Sequence, residues 1–315
     1  MKHFLDLNAI DSLPLWLEEA VELKKAPHRF ANLGKHKTLG LLFFNPSLRT
    51  RLSTQKAAQL LGMHTLVINV SGDAWALEFE DGTIMNGNTS EHVKEAAGVI
   101  SQYCDMIGIR AFPELTDREK DASEMVLNSF YKYASVPIIN MESATAHPLQ
   151  ALADALTIYE HSGQRKPKVV LSWAPHPKAL PQAVANSFVE IMQLMKVDFN
   201  ITHPEGYELK NTFTQNIRIE YDQEKAFAEA DFVYVKNWSS YQQYGKVLHQ
   251  DPEWTITSEK MKHTNNAYFM HCLPVRRNVV VTDAVLDSNR SLVMKQAANR
   301  TYAAQLVLKK LLENE

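Results

Sequence analysis

Basic and polar side chains suited to holding an anion or polarising a carbonyl gather in a few short segments of the 315-residue chain. These are Ser47-Leu48-Arg49-Thr50-Arg51, Arg110, Glu142 with His147-Pro148-Leu149-Gln150, Trp173 to His176, Lys236-Asn237-Trp238, and His271-Cys272-Leu273-Pro274-Val275-Arg276-Arg277. The first has the make-up of a phosphate site. A guanidinium such as that of Arg49 meets a phosphate with two parallel hydrogen bonds, and Ser47 and Thr50 add hydroxyl donors. Pro46 closes an apolar run and Ser47 is a favourable helix N-cap, so the first N–H groups of the following helix are expected to face an anion. His147 precedes Pro148, a favoured first helical residue, and Gln150 lies one turn on. Together the two can donate to a carbonyl oxygen and accept from an amide. Either segment alone also reads as an ordinary capped helix, and for Ser47 to Arg51 taken alone that plainer reading is the favoured one. Cys272 follows an apolar run, where a lone cysteine more often packs than attacks, and His271 should face the opposite way along the strand.

The elements that would position these groups follow from periodicity. Short apolar and β-branched runs recur at Thr38–Phe44, Thr65–Val70, Asp105–Ala111, Val136–Asn140, Lys168–Ala174, Val197–Thr202, Ile217–Tyr221, Asp231–Lys236 and Ala267–Leu273. Between many of them, apolar residues three and four apart predict helices over Leu13–Leu23, Leu52–Leu61, Val93–Tyr103, Ser123–Tyr133, Leu149–Tyr159, Val184–Met195 and Tyr302–Leu312. The alternation reads as βαβ units. Several strands are almost wholly apolar, as expected where a parallel sheet is covered on both faces. The fold class is therefore α/β, with two domains, each a parallel-sheet, Rossmann-like layer carrying helices on both faces. We place the first at 1–145 and the second at 146–298, the next strand opening after the polar stretch Ser162–Lys168, and expect the helix from about 299 to 315 to pack back on the first domain. In such sheets ligands bind beyond the carboxyl ends of the strands, which is where the segments above fall.

Composition narrows the function. Apolar residues make up 45% and charged residues 22%, as in ordinary packed domains and unlike disordered chains. With 33 Lys+Arg against 36 Asp+Glu the net charge is −3, so no nucleic-acid surface is indicated. The longest apolar runs are far short of the roughly 18 residues that span a bilayer, and the amino terminus lacks a signal-peptide core. A cytoplasmic protein with no membrane or nucleic-acid partner is expected. Two cysteines, Cys104 and Cys272, are too few for a disulfide scaffold and lack zinc spacing. No P-loop and no dinucleotide fingerprint occurs.

Taken together, the separated motifs resemble the aspartate and ornithine carbamoyltransferase family. Ser47 to Arg51 is similar to its Ser-x-Arg-Thr-Arg phosphate loop, His147 to Gln150 to its His-Pro-x-Gln carbamoyl site, and His271 to Pro274 to the His-Cys-Leu-Pro signature of the ornithine branch. The resemblance implies a carbamoyl-phosphate domain followed by an amino-acid domain, in a homotrimer with active sites at the subunit interfaces. It implies that Ser47, Leu48, Arg49 and Thr50 hold the phosphate of carbamoyl phosphate, with Arg110, Arg300 and, from a neighbouring subunit, Trp75. Arg110, His147 and Thr50 would polarise the carbamoyl oxygen, while Gln150 and the backbone of Cys272 and Leu273 orient the carbamoyl nitrogen. No metal or organic cofactor is implied.

One departure selects the second substrate. Ornithine enzymes usually carry an acid in an Asp-x-Trp-x-Ser-Met-Gly segment to hold a free α-ammonium, whereas Lys236 stands there in this chain, before Asn237-Trp238-Ser239-Ser240. A cation beside an ammonium is repulsive, so free ornithine is disfavoured and an N-acylated ornithine, neutral at that nitrogen, is expected. Segments around Trp173 to Pro177, Lys236 to Trp238 and His271 to Asn278 are similar to those of the N-acetylornithine and N-succinylornithine carbamoyltransferases. By that resemblance Glu142, His176, Lys236, Leu273 and Arg276 would place the acylornithine. The acyl group turns on Ser90, where the acetyl enzymes carry glutamate and the succinyl enzymes proline. Serine leaves room and adds no repelling charge, favouring N-succinyl-L-ornithine over N-acetyl-L-ornithine. The plain alternative is that Asn88 to Glu91 is a capping box for the next helix. More distant alternatives are an ornithine carbamoyltransferase and a non-catalytic binding protein on the same fold.

Overall fold

The computed structural model describes residues 1–163 and 166–314. Gln164 and Arg165, inside the polar stretch expected before the second domain, lie outside the described residues, as does Glu315 at the end of the expected carboxyl-terminal helix. The chain divides into two compact units. Unit 1 is Met1–Glu114, Arg118–Leu149 and Arg300–Glu315; unit 2 is Leu115–Asp117 and Gln150–Asn299.

Unit 1 is built on a four-stranded parallel sheet of β1 (Thr38–Phe43), β2 (His64–Asn69), β3 (Met106–Arg110) and β4 (Ile138–Glu142), in the order β2-β1-β3-β4. Strands β1, β3 and β4 are buried end to end apart from Thr38, as a sheet covered on both faces requires, while β2, at one edge, keeps partial exposure. Helices α1 (Leu13–Lys25), α2 (Arg49–Leu60), α3 (Val93–Tyr103) and α4 (Met125–Tyr133) turn their apolar stripes inward; in α1 the stripe is Leu13, Trp16, Leu17, Ala20 and Leu23. Val93, Ala97, Ile107, Ile109, Leu127, Phe130 and Ile138 form the core on one side of the sheet.

Unit 2 carries a five-stranded parallel sheet of β5 (Lys168–Trp173), β6 (Asp198–Thr202), β7 (Arg218–Glu220), β8 (Phe232–Lys236) and β9 (Tyr268–Met270), ordered β9-β8-β5-β6-β7. Two helices flank it, α5 (Pro148–His161), whose first two residues belong to unit 1, and α6 (Ala183–Met195), with nine residues of α6 buried. A core of Val170, Phe227, Val233, Val235, Phe269, Val281 and Val285 fills one face.

All nine expected strands form, and so do the seven expected helices. The last helix, α7 (Val293–Leu312), begins six residues before the expected Asn299. Its early turns carry Gln296 and Asn299, both fully buried, so the inward face there is polar and the apolar period that marks a helix is absent. Val70, read as a strand end, instead opens a single helical turn over Val70–Asp73.

Candidate active site

In unit 1 the predicted groups collect at the carboxyl edge of the sheet. Arg110 is the last residue of β3 and pairs in register with Phe43 on one side and Glu142 on the other. The register of β3 with β4 runs from Ile109 opposite Asn140 to Arg110 opposite Glu142, so Met141 is the extra residue of a bulge that brings the carboxylate beside the guanidinium. Arg110 Nε donates to Glu142 Oε2 at 3.0 Å, and Arg110 Nη1 donates to the carbonyls of Asn45 and Pro46 at 3.0 and 2.7 Å. Its guanidinium lies over the Phe112 ring, 4.1 Å from the centroid. His147 Nε2 is 3.4 Å from the same Glu142 oxygen. Arg110, Glu142 and His147 are all buried, so the Arg110–Glu142 ion pair acts in a poorly screened setting, and removing one of its members would cost about 3–5 kcal/mol.

The Ser47 to Arg51 segment sits beside them. Thr50 is buried and its hydroxyl accepts from Arg300 Nη2 at 2.7 Å, which ties α7 to the start of α2. Ser47 is not the N-cap expected of it. The cap residue is Leu48, in helical conformation, with no side-chain cap bond. Asn45 and Pro46 are fixed instead through their carbonyls by Arg110, which leaves Ser47 in the lead-in to α2. Arg51 turns away, stacking on Phe43 at 4.8 Å and donating to Asn69 Oδ1.

Two residues predicted for the site lie elsewhere in unit 1. Trp75 and Ser90 belong to the exposed segment between β2 and α3, where Trp75 Nε1 donates to Glu91 Oε2 at 2.7 Å and Ser90 N to the Ala76 carbonyl at 3.0 Å. The segment is tied to α4 through Asp81, which accepts from Lys132 Nζ at 2.9 Å and Tyr133 Oη at 2.7 Å. The capping-box reading of Asn88 to Glu91 does not hold: His92 caps α3, its Nδ1 accepting from Lys94 N. Glu142, expected with the acylornithine groups, has its carboxylate beside Arg110 and His147.

Unit 2 offers a cluster of a different kind. Lys236 ends β8 in register with Trp173, the end of β5. The loops beyond are braced by Asn237 Nδ2 donating to the Ala174 carbonyl at 2.7 Å, Trp173 Nε1 to the Trp238 carbonyl at 3.0 Å, and Trp238 Nε1 to the Tyr207 carbonyl at 2.7 Å. Arg276 Nε donates to His176 Nε2 at 3.0 Å, so the proton of the neutral imidazole is on Nδ1, which donates to the Lys178 carbonyl at 2.8 Å. Burial, with the charges of Lys236, Arg276 and Lys178 around it, holds His176 below the usual histidine range. A neutral histidine among three cations is a receptor for carboxylate or amide oxygen. Leu273 stands in the left-handed region at φ 56°, a costly conformation for a branched side chain, and its N–H donates to His271 Nδ1 at 2.9 Å. Cys272 is buried just before it.

The sequence reading missed residues that hold these groups. Glu124 accepts from the Ser143 and Thr145 hydroxyls and from the backbone N–H groups of Ala144 and Thr145, fixing the turn that leads to His147. Asp154 accepts from Gln150 and Gln296 at 2.7 and 2.6 Å. The signal for Asp154 was present, since Gln150, Asp154 and Thr157 make a polar stripe on an otherwise apolar helix. A cavity of about 400 Å³ in unit 2, lined by Met261, Phe269, Val285 and Arg290 among others, holds none of the predicted residues. Among the described residues no cluster of potential metal ligands occurs, and no helix is long and apolar enough to cross a membrane.

Similarity to known proteins agrees with this arrangement. The carbamoyl-P binding domain model of aspartate/ornithine carbamoyltransferases matches residues 2–160, and the Asp/Orn binding domain model matches 181–311. The chain is 52% identical over 315 residues to N-succinylornithine carbamoyltransferase of Bacteroides thetaiotaomicron, covering 99% of each. It is 39% identical over 331 residues to N-acetylornithine carbamoyltransferase of Xanthomonas campestris pv. campestris, covering 98% of this chain and 97% of the relative. Among solved structures, a variant of N-acetyl-L-ornithine transcarbamylase complexed with PALAO matches with a TM-score of 0.93 at 39% identity, covering 99% of this chain and 100% of that one. Another, complexed with carbamyl phosphate and N-succinyl-L-norvaline, matches with a TM-score of 0.90 at 38% identity over the same shares. Whole-length identity, both family models and the paired arginine, histidine and glutamate at the sheet edge converge: the chain belongs to the aspartate/ornithine carbamoyltransferase family.

Proposed function

We propose that this protein transfers the carbamoyl group of carbamoyl phosphate to the side-chain amine of N-succinyl-L-ornithine, giving N-succinylcitrulline and phosphate in arginine biosynthesis. The observation that carries the choice of amine is Lys236 at the end of β8 with His176 and Arg276, an all-cationic or neutral set where a free α-ammonium would be repelled. The 52% identity to N-succinylornithine carbamoyltransferases, against 39% to acetylornithine enzymes, supports the succinyl group. N-acetyl-L-ornithine is the second reading, supported by the likeness to N-acetyl-L-ornithine transcarbamylase structures.

In the proposed reaction the amine lone pair attacks the carbamoyl carbon, and the bond from that carbon to the bridging phosphate oxygen breaks with its electron pair leaving on phosphate. Arg110, Thr50 and His147 stabilise the oxyanion that forms, while Ser47, Leu48, Arg49 and Arg300 hold the phosphate and favour its departure. Glu142 keeps Arg110 and His147 in place. The amine ordinarily titrates near 10.4, so it is deprotonated before attack, which a cation-rich site favours. The proton it releases after attack goes to the departing phosphate, so no protein base is required. Gln150, Cys272 and Leu273 orient the carbamoyl nitrogen. Lys236, Arg276, His176 and Leu273 take the succinyl amide and carboxylates, with Ser90 leaving space for the acyl chain. We also propose a cytoplasmic homotrimer in which Trp75 serves a neighbouring subunit; a monomer in sedimentation would remove that role.

The test mixes the protein with carbamoyl phosphate and, separately, N-succinylornithine, N-acetylornithine or free ornithine, and measures ureido product. Dominant succinyl turnover is expected. Faster acetyl turnover overturns the acyl assignment, and no product with any amine overturns the enzyme reading.

A further inference from the structure

Asp154 is a fully buried carboxylate in the middle of α5 to which the reaction above assigns no part. One of its oxygens, Oδ1, accepts from Gln150 Nε2 at 2.7 Å and from Gln296 Nε2 at 2.6 Å. Gln296, itself fully buried in α7, uses its carbonyl oxygen Oε1 to accept from the N–H of His271 at 3.0 Å. His271 in turn accepts from Leu273 N at 2.9 Å. One carboxylate thus connects the glutamine of the His-Pro-x-Gln segment to the backbone of the His-Cys-Leu-Pro segment. The Tyr234 hydroxyl lies beside Asp154 and Cys272, and burial together with those neighbours holds it well above the usual tyrosine range, so it stays a neutral phenol.

The chemistry of the donors fixes the orientation. Oδ1 accepts from both amides, so each glutamine turns its NH₂ group toward Asp154 and its carbonyl oxygen away. For Gln296 the oxygen meets His271 N–H. For Gln150 the oxygen is directed away from the carboxylate, which is the orientation a carbamoyl NH₂, a donor, requires. A neutral amide without that partner is equally able to present either end, and half of the orientations would set donor against donor.

Building on the carbamoyl-transfer reading, we infer that Asp154 is a positioning residue for the reaction. By accepting from Gln150 while Gln296 holds the same oxygen from the other side, it aims the Gln150 carbonyl oxygen at the carbamoyl nitrogen.

The test is the pair Asp154→Leu, which keeps the volume and removes the acceptor, and Asp154→Asn, which keeps an acceptor oxygen. Each is made alone and in a Gln150→Ala background, with kcat measured at saturating substrates and folding checked by thermal melting. Asp154→Leu is expected to lower kcat on the order of 10- to 100-fold, the usual cost of loosening a positioned group, with Asp154→Asn recovering most of it. In the Gln150→Ala background both losses should shrink to within about twofold, because the group being aimed is gone. A loss of full size in that background, or wild-type kcat in Asp154→Leu, overturns the inference. If Asp154→Leu does not fold, Asp154→Asn decides by the same comparison, a loss of a few fold that vanishes beside Gln150→Ala being the expected result. Wild-type protein with no turnover on any amine overturns the functional reading and this inference with it, whereas active wild type and indifferent variants overturn this inference alone.

Discussion

The two units prepare for anions in opposite ways. In unit 1 the cationic groups are buried and already partnered: Arg110 by Glu142 and two carbonyls, and Arg300 by Thr50. In unit 2, Arg276 is exposed and Lys236 half-buried, and with Lys178 they surround a histidine held neutral. The first arrangement is rigid and complete without ligand, suiting a small, invariant group that must be bound as charge develops on it. The second is electrostatically unfavourable until an anion arrives, so it gains most from substrate binding and least from the fold. The Arg110 and Arg300 groups of unit 1 should therefore govern rate and stability together, and the Lys236, His176 and Arg276 cluster of unit 2 affinity and selectivity.

The sharpest way to break this contrast is in unit 1. Arg110→Ala is expected to lower kcat by on the order of 10³-fold and also destabilise the protein by about 3–5 kcal/mol, because the buried Glu142 carboxylate loses the guanidinium it accepts from. Arg49→Ala should nearly abolish turnover with little change in melting temperature. Near-normal activity in Arg49→Ala would remove the phosphate loop from the reaction. Next in size, Arg276→Ala or Lys236→Ala should raise KM for the acylornithine by on the order of 10- to 100-fold, the worth of a hydrogen bond to a charged group, and leave KM for carbamoyl phosphate within about twofold. Equal shifts in both constants would erase the division of labour. Ser90→Glu should then weaken N-succinylornithine about tenfold more than N-acetylornithine, read from the ratio of kcat/KM values.

The smallest effect is a pH dependence centred on unit 2. His203 is buried there, donating from Nδ1 to the Pro204 carbonyl at 2.9 Å, and burial lowers its proton affinity from the usual 6.5, as it does for His176. A histidine harder to protonate when folded contributes nothing to the pH dependence above 6.5. Below that value the unfolded chain takes up a proton that the native state refuses, so stability falls as pH drops toward the lowered native values. Melting curves from pH 7.5 to 5 should show this decline, and His203→Asn, which keeps a donor but cannot charge, should flatten part of it.

How much of this was legible in the sequence follows the same division. Strands were found because inner strands of parallel sheets are apolar throughout, and helices wherever a buried face was apolar. The start of α7 was not, because Gln296 and Asn299 are buried polar residues that satisfy one another's neighbours across α5 and leave no apolar period to read. The motif residues of both units were visible as residue types beyond strand ends. What they lean on was not: Glu124 lies 21 residues before Thr145, and Gln296 lies 142 after Asp154, distances over which no local pattern operates. The misassigned N-cap has the same origin, since the carbonyls before Ser47 are held by Arg110, 64 and 65 residues later.

The indoles that brace the strand ends of unit 2 carry one more consequence, an optical one. Trp173 and Trp238 are fully buried, whereas Trp75 is 58% exposed on its segment of unit 1. Indole emission shifts to the blue in apolar surroundings and to the red in water, so Trp75 should emit toward the red and the buried Trp16, Trp173 and Trp238 toward the blue. Iodide, confined to solvent, should quench only the red part. A ligand or a neighbouring chain covering Trp75 should shift the red part toward the blue, so a single unlabelled sample reports on whether that segment is covered.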